Sequence, residues 1–334
     1  MSNKFPLSSS ALNSETPKVA TIIVSSPIPS HPSTEIILKT LRSIHLTGYQ
    51  KNAPIYVLLD GLKLRDVLGK TGKSYREYMR RLETTRSEFP GLQLIRMRSW
   101  GHISQSLRRG LRTVTSEYVL VLQHDMPFIQ RVDLARLIDQ MDSYPEIRHV
   151  RFNLQQNVAS GADARYTYKR LGYNQDRSYY FEPWKPPCAG EHIPVIKTLC
   201  WSDNNHVCKR DYLLNIVLKP IGRLRMAPEW PMNRASTDSY HEVLGTYVIG
   251  SIGDQAVIAH SDGRQTPSKV PNSGTKWSLR ILGGHKAKTH RSRPRIVTEI
   301  WRTFHDLRVD FVVQRTRRIW DRDFLNHSKN TQGA

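Results

Sequence analysis

Between residues 19 and 152 the sequence switches back and forth between two hydrophobic periods. Val19–Ser25 (VATIIVS), Pro54–Leu59 (PIYVLL), Leu92–Met97 (LQLIRM), Tyr118–Leu122 (YVLVL) and Ile147–Phe152 (IRHVRF) are short apolar runs, several of them rich in β-branched residues, and each reads as a strand. The segments between them keep a helical period instead. Ile37, Leu38, Leu41 and Ile44 follow Thr34, a residue suited to an N-cap. A helix fits over Tyr75–Phe89; Ile103, Leu107, Leu111 and Val114 mark another, and Leu134, Leu137, Ile138 and Met141 a fourth. Pro27, Pro29, Pro32 and the Pro90-Gly91 pair punctuate the loops. Such alternation predicts an α/β fold with a mostly parallel sheet flanked by helices.

That architecture has a consequence for function. In open sheets of this kind ligands bind outside the carboxyl ends of the strands. The residues so placed are Ser25–Pro29, Asp60-Gly61, Arg98–Gly101 and Gln123-His124-Asp125. The last triplet follows the most continuously apolar strand. A carboxylate there is suited to a divalent cation, which neutralises a diphosphate, so Asp125 is the candidate metal ligand. A nearby histidine shifts the choice from Mg²⁺ toward Mn²⁺.

The second half is less regular. Residues 155–200 are rich in Tyr, Arg, Pro and Gly and read as extended loops; Lys209–Leu218 fits a helix, and Gly245–Gly250 a strand between glycines. Trp201-Ser202-Asp203-Asn204-Asn205-His206 is a dense polar and aromatic cluster. Trp201 is placed to stack on a sugar face, with Asp203, Asn204 and His206 binding hydroxyls. His260 follows an apolar run, and Arg264, four residues on, carries the planar fork that grips phosphate. Residues 276–334 hold 14 Lys/Arg against 5 Asp/Glu; Ile296, Ile300, Phe304, Leu307 and Phe311 recur there at helical spacing. The domain reading is a disordered lead-in over 1–18, a main domain over 19–275 divided near 125, and a basic helical extension over 276–334.

The run from Gly101 through a helix and the apolar strand to Gln123-His124-Asp125 resembles the region up to the Asp-x-Asp motif of GT-A glycosyltransferases, the family-two type above all. Gln123 stands where that motif has its first Asp, and glutamine is a poor metal ligand. The resemblance implies transfer of a sugar from a nucleoside diphosphate sugar to an acceptor hydroxyl, by single displacement with inversion. It implies a nucleotide site from Ser26, Pro27, Asp60, Arg98, Gln123, His124 and Arg264. It further implies a Mn²⁺ or Mg²⁺ ion on Asp125 and His260, and Glu229 as the base on a glycan or lipid-linked acceptor, with Glu242 and Asp238 as alternatives.

Composition narrows the partners. The 334 residues carry 50 Lys/Arg against 29 Asp/Glu, a net charge of +21, which attracts polyanions. Peripheral contact of the basic tail with an anionic membrane is one expectation. Single-stranded nucleic acid is a rival, but the basic residues are spread along the chain and no nucleic-acid-binding signature accompanies them. A catalytically inactive GT-A-like chain is the other rival, because of Gln123. No GxGxxG, GxxxxGK[ST] or GxSxG occurs, which argues against Rossmann dehydrogenases, P-loop enzymes and α/β-hydrolases. Three scattered cysteines, no leader-like apolar run and no stretch of about 18 apolar residues point to a cytoplasmic setting.

Overall fold

The computed structural model describes residues 17–48, 53–158, 182–187, 190–198, 201–235, 241–261 and 306–323. Eight strands form one sheet: β1 Val19–Ser25, β2 Ile55–Leu59, β3 Leu92–Arg96, β4 Tyr118–Gln123, β5 His149–Arg151, β6 Val195–Lys197, β7 His206–Lys209 and β8 Thr246–Ile249. Their order across the sheet is β3-β2-β1-β4-β7-β5-β8-β6. The helices are α1 Glu35–Ser43, α2 Lys70–Thr84, α3 His102–Thr113, α4 Leu134–Ser143, α5 over 210–221, α6 Glu229–Ala235, α7 His241–Leu244 and α8 over 306–323.

Strands β3, β2, β1 and β4 are all parallel, with Val19 opposite Tyr118 and Thr21 opposite both Ile55 and Leu120. The rest of the sheet is mixed. β7 runs antiparallel to both β4 and β5, and β6 antiparallel to β8, while β5 and β8 are parallel. The expected mostly parallel sheet therefore holds for the first half only. β7 enters from a long excursion after β5, so no helical crossover obliges it to run with β4.

Apolar residues leave the sheet on both faces. Ile23, Val57, Leu120 and Leu122 pack with Ile37 and Leu41 of α1, Tyr75, Tyr78 and Leu82 of α2, and Leu137 and Met141 of α4. Ala20, Ile22, Leu58, Val119 and Val121 point the other way, onto Leu107 and Leu111 of α3, Leu213 and Val217 of α5, and α8. The strict two-residue alternation of a buried strand thus feeds two cores.

The helix α8 departs from the expected periodicity. Val309, Val312, Val313, Thr316 and Trp320 are its buried face, whereas Leu307 and Phe311 face solvent. Both sets keep helical spacing, and the sheet's apolar surface takes the β-branched one. Ile296, Ile300 and Phe304 lie outside the described residues. Trp320 lies against α5, its Nε1–H donating to Ile216 O at 3.4 Å. That carbonyl belongs to a π-helical stretch, Leu213–Leu218, between two short α-helical turns. Of the expected lead-in, Lys18 is described: it pairs with Asp139 and Asp142 at 3.1 and 2.8 Å. Cys208 is buried and free; Cys188 and Cys200 lie outside the described residues.

Candidate functional site

The parallel strands deliver their ends to one edge. Two aspartates arrive there, and their surroundings differ. Asp60, after β2, is buried, and its carboxylate accepts three backbone N–H groups: Gly61 and Gly101 on Oδ1 at 2.8 and 2.7 Å, and His102 on Oδ2 at 3.1 Å. It therefore caps α3, where the helix dipole favours a negative group. Gly61 is required beside it, because a Cβ there would lie 2.1 Å from the Ser99 carbonyl carbon. His102 sits at φ 57°, in the left-handed region, and its Nδ1 accepts from Ile103 N at 2.9 Å. Burial lowers the His102 pKa, against the pull of Asp60. Three of the acceptor positions of Asp60 are thus taken up in holding a loop.

Asp125 is equally buried, yet its Oδ1 has no hydrogen-bond partner among the described residues. Its Oδ2 lies 3.6 Å from His260 Nε2. Backbone pairing brings the two together. Segment 257–261 runs antiparallel to 125–129, with Ile129 N on Val257 O (2.9 Å), Ala259 N on Pro127 O (3.1 Å) and Ser261 N on Asp125 O (2.8 Å). Phe128 and Ile258 bridge in the middle of this short ladder. Residues 135 apart in sequence thus share one carboxyl edge. Among the described residues no third His, Cys, Asp or Glu completes a metal cluster.

Gln123 is engaged by the 203–205 segment. Its Nε2 donates to Asp203 O at 3.1 Å, and its backbone N donates to Asn205 Oδ1 at 2.8 Å. Asn205, absent from the sequence-level candidates, completes the clamp by donating to Met126 O at 2.6 Å and accepting Phe152 N at 2.9 Å on its carbonyl. The segment 203–205 is in this way stitched to both flanks of Asp125. A buried asparagine surrounded by backbone groups is a contact that sequence spacing does not announce.

Trp201 and His206 are also corrected. Both are 0% exposed, under the sheet beside His149, whose ring centroid is 5.5 Å from Trp201 and 4.5 Å from His206. Polar neighbours in sequence made Trp201 look like a sugar platform, but its ring packs into the core with Tyr212 and Leu213. His206 Nδ1 donates to Asn204 O at 2.7 Å, and burial drives its pKa down to about 4. Asp203 and Asn204 remain half-buried at the crevice; burial pushes the Asp203 carboxyl up to about 6.

The nucleotide-side candidates are divided. Ser26 and Pro27 are half-buried after β1, and Arg98 is exposed after β3. His124 is nearly buried, with Nδ1 3.2 Å from Val24 O, and Thr40 Oγ1 donates to its carbonyl at 2.8 Å. Beside it His31 stacks on Tyr78 (4.0 Å) and Tyr75 (5.2 Å), and burial, aided by His124, lowers its pKa to about 4. Tyr78 OH in turn bonds Ser25 Oγ at 3.1 Å. Glu229 opens α6, just past Met226, whose backbone N and O both bond Ser104 at the start of α3. Glu242 lies on α7. Arg264 and Asp238 lie outside the described residues.

No protein-family model matches the sequence, and no curated protein matches it. Several solved structures are similar in outline. TarS of S. aureus is 12% identical over 73% of this chain and 36% of that one, with a TM-score of 0.41. TarS 1–349 in complex with UDP is 14% identical over 72% and 60%, at 0.42. A mannosyltransferase from Pyrobaculum calidifontis in complex with GDP-Man and Mn²⁺ is 14% identical over 75% and 59%, at 0.43. The chain spans less than two thirds of each of these structures. Likeness at this level decides neither family nor reaction.

Proposed function

We propose that the chain is a GT-A-type glycosyltransferase, moving a sugar from a nucleoside diphosphate sugar to an acceptor hydroxyl of a glycan or lipid-linked molecule. One observation carries the reading: at the carboxyl edge of a parallel sheet, a buried carboxylate oxygen of Asp125 is left without a donor while His260 stands 3.6 Å from the other oxygen. Such an oxygen costs free energy unless something cationic meets it. Two protein ligands fit Mn²⁺ or Mg²⁺, which complete their shells with water and substrate phosphates. When bound, the ion would offset the charge of the departing diphosphate.

The protein's own groups supply the rest. Ser26, Pro27 and Arg98 border the nucleotide side, and Arg264 adds positive charge to the diphosphate. Gln123 and Asn205 act by holding the 203–205 segment against Asp125. Glu229 takes the acceptor proton, which suits a single displacement with inversion. Asp203 is a second claimant for that proton, because burial brings its carboxyl to about 6, near the pH at which a base works best. Release of UDP or GDP from a panel of donors, with and without Mn²⁺, tests the reading. Metal-dependent release from one donor, absent in Asp125→Asn, is expected; release unaffected by that substitution, or none from any donor, overturns it. Loss of the acidic limb of the pH profile in Glu229→Gln or in Asp203→Asn distinguishes the two bases.

A further inference from the structure

Four of the six exposed large hydrophobic residues in the described structure fall into two pairs spaced four apart. Leu64 and Leu68 are 92% and 88% exposed, and Leu307 and Phe311 are 59% and 60% exposed. The first pair sits in the loop between β2 and α2, among Lys63, Arg65, Lys70 and Lys73. The second lies on the outward face of α8. With Ile221 and Leu224 it lines a groove of about 440 Å³ rimmed by Arg223, Arg308 and Arg315.

Residues next to each pair reach the first turn of α3. Lys63 Nζ lies 4.7 Å from the centre of the Trp100 ring, and Trp100 meets His102 edge-on at 5.5 Å. On the same turn Gln105 Nε2 donates to Gly222 O and Leu224 O at 3.1 and 2.7 Å, and Leu224 is part of the groove wall. Asp60 fixes that turn at the carboxyl edge of the sheet. The Lys63–Trp100 contact and the Gln105–Leu224 bond thus tie both apolar pairs, with their basic neighbours, to one turn of α3.

We infer that this face docks on an anionic lipid surface, with Leu64, Leu68, Leu307 and Phe311 entering the headgroup region and the surrounding Lys and Arg meeting lipid phosphates. Charge selects the occupant. A second copy would set the same cations against each other. The acids on these elements are few and engaged: Asp66 is 3.7 Å from Arg65, Asp310 is 2.9 Å from Arg234, and Asp323 is 3.9 Å from Lys219; Asp306 also has a partner. A nucleic acid would satisfy the cations, but three of the four apolar side chains are leucines, which offer bases no stacking face. An anionic bilayer satisfies both halves of the pattern, burying the apolar groups while attracting the basic ones. No described helix is long and apolar enough to cross a membrane, so the contact is peripheral. The inference stands apart from the proposed reaction, since it rests on no residue of the Asp125 site.

The test is co-sedimentation of the full chain with phosphatidylglycerol/phosphatidylcholine vesicles and with phosphatidylcholine alone, at two salt concentrations. The wild type is expected to bind the anionic vesicles, less at higher salt, and to leave the neutral ones. L64Q/L68Q and L307Q/F311Q each lower the partition coefficient roughly tenfold, with unchanged melting temperature because these side chains face solvent. A fourfold variant that partitions like the wild type overturns the inference. So does equal binding to neutral vesicles, or binding of single-stranded oligonucleotide without binding of anionic vesicles. Sedimentation velocity supplies the last arm: a dimer that L307Q/F311Q abolishes means that the face serves self-association.

Discussion

Asp60 and Asp125 end neighbouring parts of one parallel sheet, are buried to the same degree, and do opposite things. Asp60 is surrounded by backbone N–H groups and turns a strand end into a helix cap. Asp125 keeps one oxygen without a donor and faces a histidine from a distant segment. Arrival at the ligand edge is thus insufficient to make a carboxylate a ligand group. What separates them is how much of each oxygen's bonding capacity the fold has consumed. Asp60 has its bonding capacity met by backbone, whereas among the described residues one Asp125 oxygen has no donor.

Substitutions sharpen this contrast. The largest expected effect is at Asp125. Asp125→Asn lowers kcat by roughly a thousandfold, about 4 kcal/mol of barrier, while the melting temperature stays or rises, because a neutral amide is less costly to bury than a charge. A melting temperature that fell as far as in Asp60→Asn would break the contrast. Asp60→Asn is expected to lose about 2–3 kcal/mol of stability, since an amide accepts through one oxygen only and turns its NH₂ toward backbone donors. Urea unfolding measures it.

A third effect follows from His206, on the strand that Asn205 anchors beside Asp125. Burial sets its folded pKa near 4, below the 6.5 of an unfolded histidine. Between those values the unfolded chain binds the extra proton, so the contribution of His206 is full above pH 6.5 and falls with acidification by about 1.4 kcal/mol per pH unit, levelling off near pH 4; His31, lowered in the same way, adds to the loss. His206→Gln should reduce that slope by about one proton's worth, about 1.4 kcal/mol per pH unit. The smallest effect is at Gln123: Gln123→Glu, which supplies a carboxylate in the motif, is expected to cost about 1–2 kcal/mol without tightening Mn²⁺ binding, because it faces the Asp203 carbonyl. Isothermal titration with Mn²⁺ against the wild type decides it.

Much of the first half was legible because its strands are buried on both faces and leave a continuous apolar signal. β1 spans Val19–Ser25 as the run implied, and α4 covers Leu134–Ser143 around its four marked residues. α2 begins five residues earlier than expected, at Lys70, since its first turn is polar and holds Gly72. A Cβ at Gly72 would come within 2.4 Å of the Asp66 and Val67 carbonyl oxygens, so close packing explains the glycine. The antiparallel entry of β7 was not legible, because partner choice is a long-range property that a local period does not encode. The same limit applies to Asn205, and to which of two helical faces α8 buries. The strand-end rule singles out Asp125, and the resemblance to GT-A enzymes adds His260; the backbone ladder that joins them is invisible in spacing alone.

The position of α8 has a consequence for biosynthesis. Val309, Val312, Val313 and Trp320 complete a core built with α5 and with strands that are all made before residue 250. A ribosome adding roughly 5–20 residues per second takes several seconds more to deliver them. Throughout that interval Leu213, Val217 and their neighbours lack their lid, and the nascent chain presents an apolar surface to chaperones and to other nascent chains. Premature termination before residue 306 would make that interval permanent.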